Sequence, residues 1–98
     1  MESTYEQCLA YELTQKKISF KLQHSLPVEY KAIKLDCGYR IDVLVEGLLI
    51  LELKSVETVL PIHEAQLLTY MKLSKTKIGL LVNFNVKKLK EGLKRFVI

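Results

Sequence analysis

Cysteine is scarce in this chain: Cys8 and Cys37 stand far apart, with neither CxxC spacing nor a neighbouring histidine. That pattern argues against a disulfide framework or a thiolate zinc site and reads as two reduced thiols in a cytoplasmic protein. Long apolar runs are missing as well, so no membrane-spanning helix is expected. The first residues, Met1-Glu2-Ser3-Thr4-Tyr5-Glu6, are acidic and polar, unlike the basic-then-apolar start of a signal peptide. There is no internal repeat, linker or low-complexity stretch.

What is present suits a small globular domain. The 98 residues are 49% hydrophobic, which argues against disorder and is expected to form one domain over residues 1–98. A chain of this size buries roughly 60–70% of the surface its unfolded form exposes, enough for a modest core. The formal charge is +4. Much of the positive charge lies late, at Lys72, Lys75, Lys77, Lys87, Lys88, Lys90, Lys94 and Arg95. Such a skew suits a polyanionic partner, although a solvated basic face produces the same pattern.

Hydrophobic periodicity orders the elements. Residues 2–17 read as an amphipathic helix, with Tyr5, Cys8, Leu9 and Leu13 at helical spacing. Ile18, Phe20 and Leu22 alternate with polar residues as in a strand, which Pro27 interrupts. Val28 and Tyr30 resume the alternation up to a polar turn around Lys31–Lys34. A strand over Tyr39–Val45, a Glu46-Gly47 turn and a more apolar strand over Leu48–Ser55 follow. Pro61 opens a second helix, Ile78–Phe84 is another buried strand, and Val86–Lys94 and Arg95–Ile98 suit a short helix and a last strand. The expected fold is α/β: an α-β-β-β-α-β core on a mixed sheet flanked by helices, with a short C-terminal α-β extension.

Within these apolar strands stand Asp42 and, ten residues on, Glu52-Leu53-Lys54. Burying unpaired charge is costly, so such groups have partners or bind a cation. Glu52 and Lys54 share a strand face. In a hairpin about Glu46-Gly47, opposed residue numbers sum to 93 or 94, which sets Asp42 beside Glu52. Two carboxylates there repel, and a divalent cation removes the repulsion. Two carboxylates with the Leu53 carbonyl would suit Mg2+, which keeps several waters. Lys54 would then orient or deprotonate a metal-bound water, or stabilise charge developing on a phosphate. An ordinary ion pair within a strand is the other reading of the same residues.

On the second helix His63, Gln66 and Tyr70 fall on one stripe, at a spacing that can hold a phosphate, a base or the lysine. Read alone, Gln66 and Tyr70 equally fit helix surface, and His63 fits a helix start. Tyr39 and Arg40 have the same two readings, backbone contacts to nucleic acid or a half-buried tyrosine and a surface arginine.

Together, Glu2-Ser3-Thr4-Tyr5-Glu6-Gln7-Cys8-Leu9, Gly38-Tyr39-Arg40-Ile41-Asp42, Glu52-Leu53-Lys54, the 61–70 segment and Gly79–Asn85 resemble the GxxExxY proteins of the PD-(D/E)xK nuclease superfamily. The resemblance covers nearly the whole chain and implies a restriction-endonuclease-like core. It implies Asp42 and Glu52 as metal ligands, Lys54 as the catalytic lysine, and Gln66 with Tyr70 as the QxxxY element near the active site. Glu2 and Tyr5 match the Glu and Tyr of the family name, and the resemblance implies that Glu2 completes the acidic cluster. The implied cofactor is Mg2+ or Mn2+, and the implied partner is nucleic acid, DNA first. Family members carry a further helix, and a Gly three residues before that Glu, whereas this sequence starts at Met1. A homodimer or partner protein covering the vacant helix position is therefore expected. Two functions compete: a metal-dependent nuclease, and a catalytically silent nuclease-like module for binding or assembly.

Overall fold

The computed structural model describes residues 2–98. Helix α1 spans Glu2–Gln15. It closes where Lys17 turns left-handed (φ 58°), with Lys17 N–H donating to the Thr14 carbonyl and Ile18 N–H to the Leu13 carbonyl. That is a Schellman ending, and it takes up the residues first expected to begin the strand. Strand β1 accordingly runs Phe20–Ser25. Strands β2 (Val28–Tyr30) and β3 (Ile33–Leu35) then form a separate antiparallel hairpin. The sequence reading expected only a polar turn there. Lys31 and Ala32 both adopt positive φ, as a two-residue hairpin turn with the twist of its strands requires.

Strands β4 (Arg40–Val45) and β5 (Leu49–Lys54) pair antiparallel about Glu46-Gly47. Both turn residues have positive φ, and Leu48 N–H closes the turn on the Val45 carbonyl. Helix α2 (Pro61–Ser74) begins with proline, whose missing N–H has no intrahelical partner at a first turn anyway. It crosses over to β6 (Ile78–Asn83), which lies parallel to β5. Strand β7 (Leu93–Val97) returns antiparallel to β6. Because Leu93 already pairs with Val82, the helix expected over 86–94 shrinks to one 3-10 turn, Leu89–Gly92. The main sheet has the order β1-β4-β5-β6-β7 and is mixed, as the alternation of elements implied.

Each face of the sheet carries one helix. Against α2 pack Ile41, Ile50 and Leu81, together with Leu67, Tyr70 and Met71 of the helix. On the opposite face Val43, Leu51, Leu53 and Val82 pack with Leu9 and Leu13 of α1. Gly79 lets α2 lie close, since a Cβ there would sit 2.7 Å from Met71 Sδ and 3.0 Å from Leu67 Cδ1. Helix α1 covers its face more lightly and has no buried residue of its own. One irregularity matters for the site. Ile41 and Val43 are two apart, yet they join clusters on opposite faces. Alternation therefore breaks at Asp42.

Candidate active site

The break at Asp42 opens a gap between β4 and β5. Their ladder is regular from Val45↔Leu49 to Val43↔Leu51, the register expected from the turn. One step further, side chains replace the backbone ladder. Asp42 Oδ2 accepts from Leu53 N–H at 2.8 Å, and Glu52 Oε1 accepts from Asp42 N–H at 3.2 Å. Each carboxylate thus caps the other strand's backbone, which brings both acids into the same gap. In a strand a residue's N–H and C=O leave on the same side, so the Leu53 carbonyl also faces Asp42.

Glu52 is 4% exposed. Burial and the neighbouring Asp42 charge push its carboxyl up to about 8, against the helping hydrogen bond from Asp42 N–H and the nearby Lys54 charge. Glu52 therefore keeps a proton at neutral pH unless a cation takes its place. Lys54 lies on the Glu52 face, and among the described residues its ammonium forms no ion pair.

The residues fit a hard divalent metal in the chemistry of their donors: oxygen only, two carboxylates in one gap, and a carbonyl facing it. Among the described residues no third Asp, Glu, His or Cys joins them in a metal-like cluster. Waters would have to complete the shell, as Mg2+ prefers. Glu2 is brought to the same end of β5 but is engaged differently, accepting from Ser55 N–H at 3.2 Å. Tyr5, one helical turn on, stacks on Phe84 with ring centroids 4.2 Å apart and planes 1° from parallel. Glu2 and Tyr5 thus dock the start of α1 onto the ends of β5 and β6.

On the other side α2 supplies the amide–phenol pair. Gln66 Nε2 donates to Tyr70 Oη at 3.1 Å. Tyr70 is buried in the core, and burial together with the Glu52 charge raises its phenol, opposed by hydrogen bonds from Arg40 N–H and Gln66. That dependence on Glu52 and Asp42 sets the phenol within electrostatic range of the acid gap. A groove of about 420 Å3 opens beside the pair, lined by Tyr39, His63, Gln66, Thr69 and Tyr70 among others. Tyr39 is half-buried against Tyr70, its ring centroid 5.6 Å away, and Arg40 is tied to Asp36 at 3.3 Å. His63 accepts from Leu60 N–H through Nδ1 and so secures the start of α2.

The late basic residues divide between the two ends of the sheet. Lys87, Lys88 and Lys90 follow β6 at the end where Lys54 pairs with Asn83, while Lys72, Lys75 and Lys77 lie at the opposite end. Cys8 and Cys37 are free and exposed. Among the described residues no helix is long and apolar enough to cross a membrane.

Two residues at the site escaped the sequence reading. Glu6 and Gln23 meet beside Asp42: Gln23 Nε2 donates to Glu6 Oε1 and Oε2 at 3.3 and 3.2 Å, and to Asp42 Oδ1 at 3.4 Å. For Glu6 a signal existed, since it sits one turn after Glu2 on the same helical stripe. Gln23 gave none, because it reads as the solvent side of an alternating strand.

The family model described as PD-(D/E)XK nuclease superfamily matches residues 1–96. No curated protein and no solved structure matches the chain.

Proposed function

The chain belongs to the PD-(D/E)XK nuclease superfamily, and from that footing we propose that it is a divalent-metal-dependent nuclease hydrolysing phosphodiester bonds in DNA. The observation that carries the proposal is the acid gap, where buried Glu52 and Asp42 each cap the other strand and burial and like charge oppose the ionised Glu52.

In this reading Asp42, Glu52 and the Leu53 carbonyl hold Mg2+ or Mn2+, the metals that superfamily members generally use. When bound there, such a cation would supply Lewis acidity toward a phosphoryl oxygen and toward water. Glu2 is the further ligand carried over from family resemblance, and its bond to Ser55 N–H would be exchanged for the cation. Lys54, on the Glu52 face and without an ion pair among the described residues, stabilises charge developing on the phosphate or orients the attacking water. Gln66 and Tyr70 support the substrate side, their mutual hydrogen bond holding amide and phenol toward the groove.

The test is cleavage of end-labelled single- and double-stranded DNA with Mg2+ or Mn2+ by wild type, Asp42→Ala, Glu52→Ala and Lys54→Ala. Loss in all three is expected. Cleavage unchanged in the three variants discards the site.

A second reading, a silent binding or assembly module, is favoured by one feature. The hairpin of β2 and β3 leaves Tyr30, Ile33 and Leu35 exposed on one face. DNA binding that survives Glu52→Ala with no cleavage in any metal, or a dimer by light scattering that Tyr30→Ser with Ile33→Ser disperses, would select it.

A further inference from the structure

Gln23 holds a backbone conformation that its chemistry does not favour. Its φ is 48°, left-handed, in the middle of β1. A residue with a Cβ avoids that region, and such outliers persist where the surroundings fix them, often at functional sites. The β1–β4 ladder records the same event. Leu22↔Val43 and His24↔Ile41 pair, but the intervening Gln23 and Asp42 do not. The register is unchanged on either side, so no residue is inserted. The two strands part locally at the very position where Asp42 turns into the acid gap.

The amide then bridges three carboxylate oxygens, two of Glu6 and one of Asp42. Asp42 Oδ2 is already held by Leu53 N–H. Gln23 therefore restrains the remaining oxygen, and Glu6 on α1 in turn anchors Gln23. Carboxylates that bind metal are oriented by such outer hydrogen bonds, and removing the outer partner typically weakens metal affinity or activity about 10–100-fold.

We propose that Gln23, anchored by Glu6, is a positioning residue that fixes the Asp42 carboxylate for the cation. The inference rests on the metal-dependent reading above. Its backbone strain supplies an unusual test, because glycine adopts positive φ without penalty. Gln23→Gly removes the amide while relaxing the strand, so a positioning role and a structural role move different readouts.

The experiment titrates Mn2+ alone into metal-free wild type, Gln23→Gly, Glu6→Gln and the double variant by calorimetry, with a melting curve for each. The expected result is Mn2+ binding weakened about 10–100-fold in Gln23→Gly, with a melting temperature equal to or above wild type. Glu6→Gln should weaken binding less. The double variant should bind no more weakly than Gln23→Gly alone, since the two residues act as one unit. Wild-type affinity in Gln23→Gly overturns the proposal, as does weakened affinity accompanied by a lower melting temperature, and so do additive losses in the double variant. Failure of the inference leaves wild-type Mn2+ binding and DNA cleavage intact. Failure of the nuclease reading instead shows in the wild type itself.

Discussion

Glu52→Gln should make the metal-free protein more resistant to alkaline conditions, and the size of the effect follows from the acid gap. The Glu52 carboxyl is pushed from 4.5 in the unfolded chain to about 8 in the fold, chiefly by burial and secondarily by Asp42. Below pH 4.5 the group is protonated in both states and contributes no pH dependence. Between 4.5 and about 8 the folded state keeps a proton that the unfolded state has released, so raising the pH favours unfolding. Above about 8 both states are ionised and the full cost is present. The slope inside the window is about 1.4 kcal/mol per pH unit, or about 5 kcal/mol across it. That sum rivals the whole stability of a small domain. Glutamine keeps the acceptor for Asp42 N–H and has nothing to titrate. Thermal unfolding in EDTA, followed by circular dichroism from pH 5 to 9, should show wild type losing several degrees per pH unit relative to Glu52→Gln, since about 1 kcal/mol moves the midpoint of a domain this size about 4–8 °C. Saturating Mg2+ should flatten the wild-type curve, because the cation holds the ionised form, and leave the variant unmoved. Parallel curves for the two proteins without metal would refute the account of the gap.

Lys54→Met should keep Mn2+ binding within a few-fold while cutting cleavage about 100-fold or more, read by calorimetry beside a nuclease assay. Gly79→Ala should destabilise by about 1–3 kcal/mol in urea unfolding, because its Cβ would press on Met71 and Leu67 under α2. Tyr5→Ala should cost about 1 kcal/mol beyond the lost apolar area and speed amide exchange in α1, since it ends the parallel stack on Phe84. Asn83→Ala should cost about 2 kcal/mol in the same urea assay, because it leaves Val56 N–H, Val56 C=O and Asn85 N–H without the amide that serves all three.

The legible part of the molecule was the part governed by short-range pattern. Alternation in β4 and β5 and the Glu46-Gly47 turn set the register that brought Asp42 beside Glu52. Pro61 marked the start of α2, and the four-residue spacing gave the Gln66–Tyr70 hydrogen bond. What stayed hidden depended on competition between elements or on backbone strain. Residues 86–94 look helical in isolation, but β7 claims Leu93 and Lys94 to finish the sheet. Lys31–Lys34 reads as a polar turn, yet two left-handed residues fold it into a hairpin whose return strand includes Ile33 and Lys34. Gln23 looked like a solvent-facing strand residue because nothing in a glutamine announces positive φ. Strict alternation also fails at Ile41, which lies on the opposite sheet face from Val43 across the break at Asp42.

The light footing of α1 ties the competence of the acid centre to an equilibrium that the sheet does not share. The helix contributes no buried residue, yet Glu2 and Glu6 both reach from it to the site. In the proposed mechanism, lifting this one segment would withdraw both carboxylates from the site and uncover the sheet face that Leu9 and Leu13 pack against. By linkage, in the proposed mechanism whatever clamps the segment down would strengthen cation uptake by the same factor that cation uptake would clamp the segment.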